Sequence, residues 1–153
     1  MAEFNTGSVV QSVPLNQAVA LYTSIRCPKG YVYHEDGTGI VILRGIVPNS
    51  NCCFARYKIT FNGNIALPEG GTPGPIAVSL SVNGEARPAS IAIVTPTAAE
   101  AFFNVTSTAT VDVPRGCCFS LALRHVPAST DPTVTPAPVI DIANGNLDIQ
   151  RTA

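Results

Sequence analysis

Phe54-Ala55-Arg56-Tyr57-Lys58-Ile59-Thr60-Phe61 alternates with period two, so that Ala55, Tyr57, Ile59 and Phe61 fall on one side of an extended chain and Arg56, Lys58 and Thr60 on the other. The stretch predicts a β-strand with one apolar face and one wet face. The same rhythm recurs in both directions along the chain. Val78, Leu80 and Val82 oppose Ser79, Ser81 and Asn83, after which Asn83-Gly84 is a hairpin signal and Ile91, Ile93 and Thr95 mark a partner strand. Ala109, Val111 and Val113 oppose Thr106, Thr108, Thr110 and Asp112 before the turn Pro114-Arg115-Gly116, and Cys117, Phe119, Leu121 and Leu123 follow as the apolar side of another strand. Residues 18–25 and 39–45 are predicted as strands, and Leu147 and Ile149 against Asn146, Asp148 and Gln150 make the last one.

Proline and glycine, 13 and 12 of them, fall mostly between these runs, as in Leu67-Pro68-Glu69-Gly70-Gly71-Thr72-Pro73-Gly74-Pro75, a surface loop. Residues 127–138, rich in Pro, Thr and Ala, are the longest excursion and are expected to be mobile unless a neighbouring subunit holds them. Thr97-Ala98-Ala99-Glu100 fits a capping box and predicts at most one helical turn. Roughly eight to ten short strands with very little helix imply a sandwich or a barrel, and composition does not choose among jelly roll, immunoglobulin-like and barrel topologies.

At 153 residues the chain is expected to form a single domain over 1–153, with residues 1–8 as a flexible N-terminal arm. Charged residues make up 12% of it, about half of the usual ~25%, so Thr, Ser, Asn, Gly and Pro must cover the surface unless much of it is buried against other copies. The net charge of −1 comes with no basic run, which argues against nucleic acid as a partner. No stretch approaches the ~20 apolar residues that span a bilayer. The first residues lack the basic start and apolar run of a signal peptide, so synthesis and retention in a cytoplasm are expected.

The five cysteines are Cys27 and the pairs Cys52-Cys53 and Cys117-Cys118, an odd count unlike a secreted disulfide framework. Extending the alternation turns Cys53 and Cys117 toward the core as buried thiols and Cys52 and Cys118 outward. No C-x-x-C spacing occurs, and His34 and His125 are not at ligand spacing from the cysteines, so neither a metal nor a cofactor is expected. His34-Glu35-Asp36 is the only cluster of titratable groups. Asp36-Gly37 is also a turn dipeptide, and the cluster is read as a solvated turn rather than an acid–base site.

The usual nucleophile, zinc and nucleotide motifs are missing, which argues against an enzyme, and Asn104-Val105-Thr106 matches the glycosylation pattern without the secretory context that would give it meaning. Tyr57, Phe61, Phe103 and Phe119 lie mostly on apolar faces, which fits core packing. They are also the candidates for a subunit interface, where outward Arg44, Arg56, Lys58 and Arg124 could pair with acidic groups.

The closing strand Asn144-Gly145-Asn146-Leu147-Asp148-Ile149-Gln150-Arg151-Thr152-Ala153 resembles the terminal strand of the tumour-necrosis-factor/C1q-like jelly rolls of bacterial and bacteriophage surface proteins. The whole chain is similar to small bacteriophage virion proteins through GIVILRG (39–45), ARYKITFNGNIALP (55–68), GPIAVSLSVNG (74–84), residues 93–96 and VPRGCCF (113–119). The resemblance implies an all-β, two-sheet antiparallel jelly-roll sandwich and assembly as a compact homotrimer. It also implies a decoration or fibre role on the exterior of a virion made in a bacterial host's cytoplasm, with no catalytic residues. Beyond the chain itself, the partners it suggests are a major capsid protein or a host-surface glycan; the alternative role is a carbohydrate- or receptor-binding jelly roll. The collagen-like Gly-X-Y stalk of spore-surface relatives is absent from this sequence.

Overall fold

The alternation that opens at Phe54 runs on through Gly63 and Ile65, giving a strand of 13 residues whose odd-numbered positions from Ala55 to Ile65 are all buried. The computed structural model describes residues 2–6, 10–25, 31–34, 37–47, 51, 53–129, 131, 133 and 135–152. Its strands are β1 (Ala2–Asn5), β2 (Gln11–Pro14), β3 (Thr23–Ile25), β4 (Val32–His34), β5 (Val41–Arg44), β6 (Phe54–Ala66), β7 (Ile76–Val82), β8 (Glu85–Ala86), β9 (Ala92–Val94), β10 (Phe103–Pro114), β11 (Cys118–Val126) and β12 (Val139–Arg151). The only helical element among the described residues is a 3-10 turn at Pro88–Ser90.

All pairings between these strands are antiparallel, in two sheets ordered β10-β6-β12-β1-β3, with β2 also on β12, and β4-β5-β11-β7-β8, with β9 also on β7. The strand order threads back and forth between the sheets, and their facing sides bury one core. Phe4, Tyr57, Ile59, Phe61, Ile65 and Leu147 come from the first sheet and Leu43, Leu80, Leu121 and Leu123 from the second, each essentially inaccessible. The expected two-sheet antiparallel jelly-roll sandwich is what the chain forms.

Long β12 serves two short partners in turn. Its first half, from Val139 to Ile142, pairs β2 and its second half, from Asn146 to Ile149, pairs β1, with a bulge between Ala143 and Asn146. Glycine is required at the bulge: a Cβ on Gly145 would meet Thr6 Cγ2 at 2.7 Å and the Phe61 ring at 3.1 Å. Asn83-Gly84 forms the predicted hairpin turn between β7 and β8, with φ of 52° and 85°, the left-handed pair that this dipeptide adopts readily.

Several expectations are corrected by packing. Residues 2–5 are no arm: Ala2 and Phe4 are buried, and β1 is paired on both edges, by β12 and β3. Ala18 to Ile25 is continuous strand only from Thr23, because at Ala20 the Gln11 side chain takes the place of a partner strand. Its amide donates to Ala20 O at 2.7 Å and its Oε1 accepts from Ala20 N at 3.1 Å.

Thr97 to Glu100 makes a turn, not a helix; Glu100 has φ of 62° and its N–H donates to Leu67 O. Ile91 and Ile93 face solvent, at 37% and 53% exposure, while Ala92 packs inward opposite Val78. The partner strand expected through Ile91, Ile93 and Thr95 is the shorter β9, which pairs β7 as expected.

Cys53 and Cys117 are exposed, not core thiols, and for a related reason. Each lies one residue before its strand begins, where the alternation of β6 and β11 no longer governs side-chain direction.

Candidate interaction surface

The first sheet turns the even positions of β6 and β10 and the matching positions of β12 and β1 away from the core. The register sets them in rows. Thr106, Asn62, Asn146 and Asn5 make one row across the four strands, and Thr108, Thr60, Asp148 and Glu3 make the next. Neighbouring rows hold Asn104 with Asn64 and Thr110 with Lys58 and Gln150.

Amides dominate the centre of this surface and bond to one another along it. Asn104 Nδ2 donates to Asn62 Oδ1 at 2.9 Å and to Asn64 Oδ1 at 3.3 Å, and the Thr106 hydroxyl donates to the same Asn62 oxygen at 3.4 Å. Asn146 Oδ1 and Asp148 Oδ1 are shielded from water and have no hydrogen-bond partner within the chain. Side-chain amides both donate and accept, so this face can pair with a polar surface in several geometries.

At one end the face carries a bidentate ion pair, Arg56 Nε to Asp112 Oδ1 at 2.7 Å and Nη2 to Oδ2 at 3.0 Å. The hydrogen bonds, then the charge, of Asp112 raise the Arg56 pKa, and the bonds from Arg56 hold the Asp112 carboxyl below its ordinary range. The Arg56 guanidinium also lies 4.9 Å from the centre of the 38%-exposed Phe54 ring.

The sequence candidates for an interface separate in space. Tyr57 and Phe61 are wholly internal, so no partner can touch them; the Tyr57 hydroxyl donates to Arg44 O at 2.5 Å and to Tyr31 O at 3.2 Å. Phe119 is partly buried against the core, and Phe103, exposed at the start of β10, remains open to contact. Of the four outward cations, Arg56 reaches Asp112. Arg124 donates to Gly84 O at 2.9 Å, Arg44 lies 5.9 Å from the Tyr33 ring centre, and Lys58 stands exposed between Thr110 and Gln150.

His34 does not sit in a solvated turn. It is buried, its Nε2 lies 2.9 Å from Thr38 O, and its ring is 4.8 Å from that of Phe4. Glu35 and Asp36 lie outside the described residues. Among the described residues no group of three or more His, Cys, Asp and Glu side chains is placed to hold a metal ion, and no helix is long and apolar enough to cross a membrane.

A concave site lies elsewhere, between two loops. A cavity of about 350 Å³ opens between the 67–75 loop and the end of the long excursion, from Thr135 to Val139, and is walled largely by proline rings and glycine backbone. Sequence reasoning identified both loops but not their meeting. It also missed the amide rows, whose only signal was asparagine recurring at 62, 64, 104 and 146 on polar sides of strands whose pairing was unknown.

No protein-family model matches the chain, and no curated protein sequence matches it. Among solved structures, the globular domain of zebrafish complement 1qA is similar over 98% of each chain, with 12% identity and a TM-score of 0.53. A sugar-binding protein, the C-terminal domain of EclA, aligns with 94% of this chain and 79% of its own, at 18% identity and a TM-score of 0.42. The first of these, with the two antiparallel sheets, gives the fold: a jelly-roll sandwich similar to that of the C1q globular domain.

Proposed function

We propose that this chain is a noncatalytic structural module that assembles as a homotrimer through the outer face of its first sheet. The observation that carries the reading is the amide-rich face itself, whose Lys58, Asn62, Asn104 and Thr106 side chains stand exposed with no segment among the described residues laid over them. Exposed side-chain amides and hydroxyls both donate and accept, so a second copy can pair with them. The threefold count, and a place on the exterior of a bacteriophage particle beside a capsid protein, rest on the resemblance of the closing strand and of the segments before it to phage virion proteins. The low share of charge fits a surface that is largely covered.

Sedimentation or light scattering tests the assembly. The expected species is three times the 15.9 kDa chain at micromolar concentration, and a monodisperse monomer overturns the reading. Mass spectrometry of purified particles tests the virion role, since absence of the chain from the particle removes it. A second reading, a carbohydrate-binding module, draws on the loop cavity between 67–75 and 135–139. A glycan array with no hits overturns that alternative and leaves the assembly untouched.

A further inference from the structure

Free cysteine is among the most buried of residue types, yet Cys53, Cys117 and Cys118 are all free and exposed, and the backbone gathers them at one end of the sandwich. Cys53 immediately precedes β6, and its carbonyl accepts the Arg115 N–H at 3.0 Å, extending the β6–β10 ladder one step past the pair Phe54 and Pro114. Arg115 belongs to the tight turn that leaves β10, closed by the Cys117 N–H on Pro114 O at 2.9 Å.

Across that turn Gly45 is clasped on both sides, donating to Cys117 O at 2.8 Å and accepting from Gly116 N at 3.1 Å. Residues facing one another in an antiparallel ladder have Cα atoms about 4.5–5.5 Å apart, and the ends of a tight turn lie within about 7 Å. Cys117 stands two residues past Arg115, the residue that faces Cys53, and a disulfide spans Cα atoms about 4.4–6.8 Å apart, so the bond forms as the turn moves toward the start of β6. Cys118, already in β11 opposite Arg44, is one residue further along the second sheet.

We propose that Cys53 and Cys117 form a thiol pair that closes into a disulfide, a redox-sensitive clasp joining the start of β6 in one sheet to the turn that leads into the other. The oxidant is a low-molecular-weight disulfide. One cysteine thiolate attacks a sulfur of that disulfide and expels a thiolate, leaving a mixed disulfide on the protein. The second cysteine thiolate then attacks the protein sulfur, forming the new S–S bond and expelling the second small thiolate. Two protons leave the protein, its two thiols are oxidised, and the small disulfide is reduced to two thiols.

The full chain is treated with glutathione disulfide, alkylated and cut with trypsin without reduction. Cleavage after Arg44, Arg56, Arg115 and Arg124 places Cys53 in the peptide 45–56 and Cys117 in the peptide 116–124. The expected product is these two peptides joined within one chain, abolished by Cys53→Ser and by Cys117→Ser and retained in Cys118→Ser. Closing a loop of this length also raises Tm by about 5–15 °C, a gain that dithiothreitol reverses. Stable glutathione adducts that never resolve overturn the proposal. So do links found only between chains, or a joined peptide that survives either of the first two substitutions.

Discussion

On β7 the side chains that point away from the core, Ala77, Ser79 and Ser81, are as buried as Val78 and Leu80, which point into it; on β6 the outward Arg56, Lys58 and Asn62 stand exposed. The contrast comes from what the chain does after each strand. Past β7 it turns back through Asn83-Gly84 and lays the 85–90 segment over the strand it has just left. Ser90 completes that cover. β8 pairs Ser81 and Val82, β9 pairs Ile76 to Val78, and between them the Leu80 N–H would face no strand; the Ser90 hydroxyl accepts it at 3.1 Å while bonding Arg87 O at 2.7 Å. The Ser107 hydroxyl on β10 in turn bonds the Ser90 carbonyl. Nothing comparable among the described residues folds over the outer side of β6. One sheet is finished within the chain, and the other keeps its outer side open.

The sharpest test of the inner side of that comparison is Phe61→Ala. The ring is inaccessible, and both Gly63 and Gly145 lie against it so closely that neither has room for a Cβ. Its removal leaves a cavity that the bulge cannot fill, and the expected loss is about 3–5 kcal/mol in urea unfolding. A loss under about 1 kcal/mol would mean that the two sheets are not held together there.

Ser90→Ala tests the self-made cover on β7. The Leu80 N–H loses its hydroxyl partner in a buried setting, while the Arg87 carbonyl keeps the Ser79 hydroxyl and the residue-90 N–H; the change costs about 1–3 kcal/mol and raises amide exchange at Leu80 and along β9. Exchange unchanged at β9 would show that the cover is held by something other than this serine.

A smaller, pH-dependent effect belongs to His125, at the margin of the second sheet. Its ring is buried, Nδ1 donates to Val13 O at 3.1 Å, and desolvation pushes its pKa below the ordinary 6.5 in spite of the ring's hydrogen bonding to the Val13 and Pro14 carbonyls, which acts the other way. The unfolded chain therefore binds this proton more readily than the folded one. The stability that comes with the neutral ring is present in full above pH 6.5 and declines as pH falls through that value toward the lowered one. Urea midpoints measured from pH 8 to pH 5 should fall on the acid side, and His125→Asn should flatten that slope.

How far these features were legible in the residues depends on how far a strand's alternation reaches. Inside β6, β10 and β12 the period-two pattern assigned inward and outward sides correctly, since each strand is long and buries one side. It failed within a residue or two of strand ends, at Cys53 and Cys117, because side-chain direction there follows turn geometry. The amide rows were out of reach for another reason. Asn62, Asn104 and Asn146 are 42 to 84 positions apart in sequence (104 − 62 = 42; 146 − 62 = 84), and only the ladder register brings them side by side.

The least destabilising change is therefore the one that speaks most directly to the open sheet. Asn62 is exposed, its side chain points away from the core, and its Oδ1 accepts bonds from Asn104 and Thr106 at the surface. In an isolated chain Asn62→Lys should move stability by no more than about 0.5 kcal/mol, as surface substitutions usually do. In an assembly built on this face, the same change places a cation on every copy where the copies meet, and like charges desolvated together cost several kcal/mol. The expected outcome is a chain with wild-type Tm at a concentration where it is monomeric but a sedimentation coefficient that no longer reaches the trimer. Lys58, two positions along the outward side of the same strand beyond Thr60, supplies the internal comparison: it is already a cation on this sheet, and Lys58→Asn should strengthen assembly if it lies within the contact. An Asn62→Lys chain that sediments as wild type would place the contact elsewhere, with exposed Phe103 and Ile93 at the β9 and β10 edges as the next surface to alter.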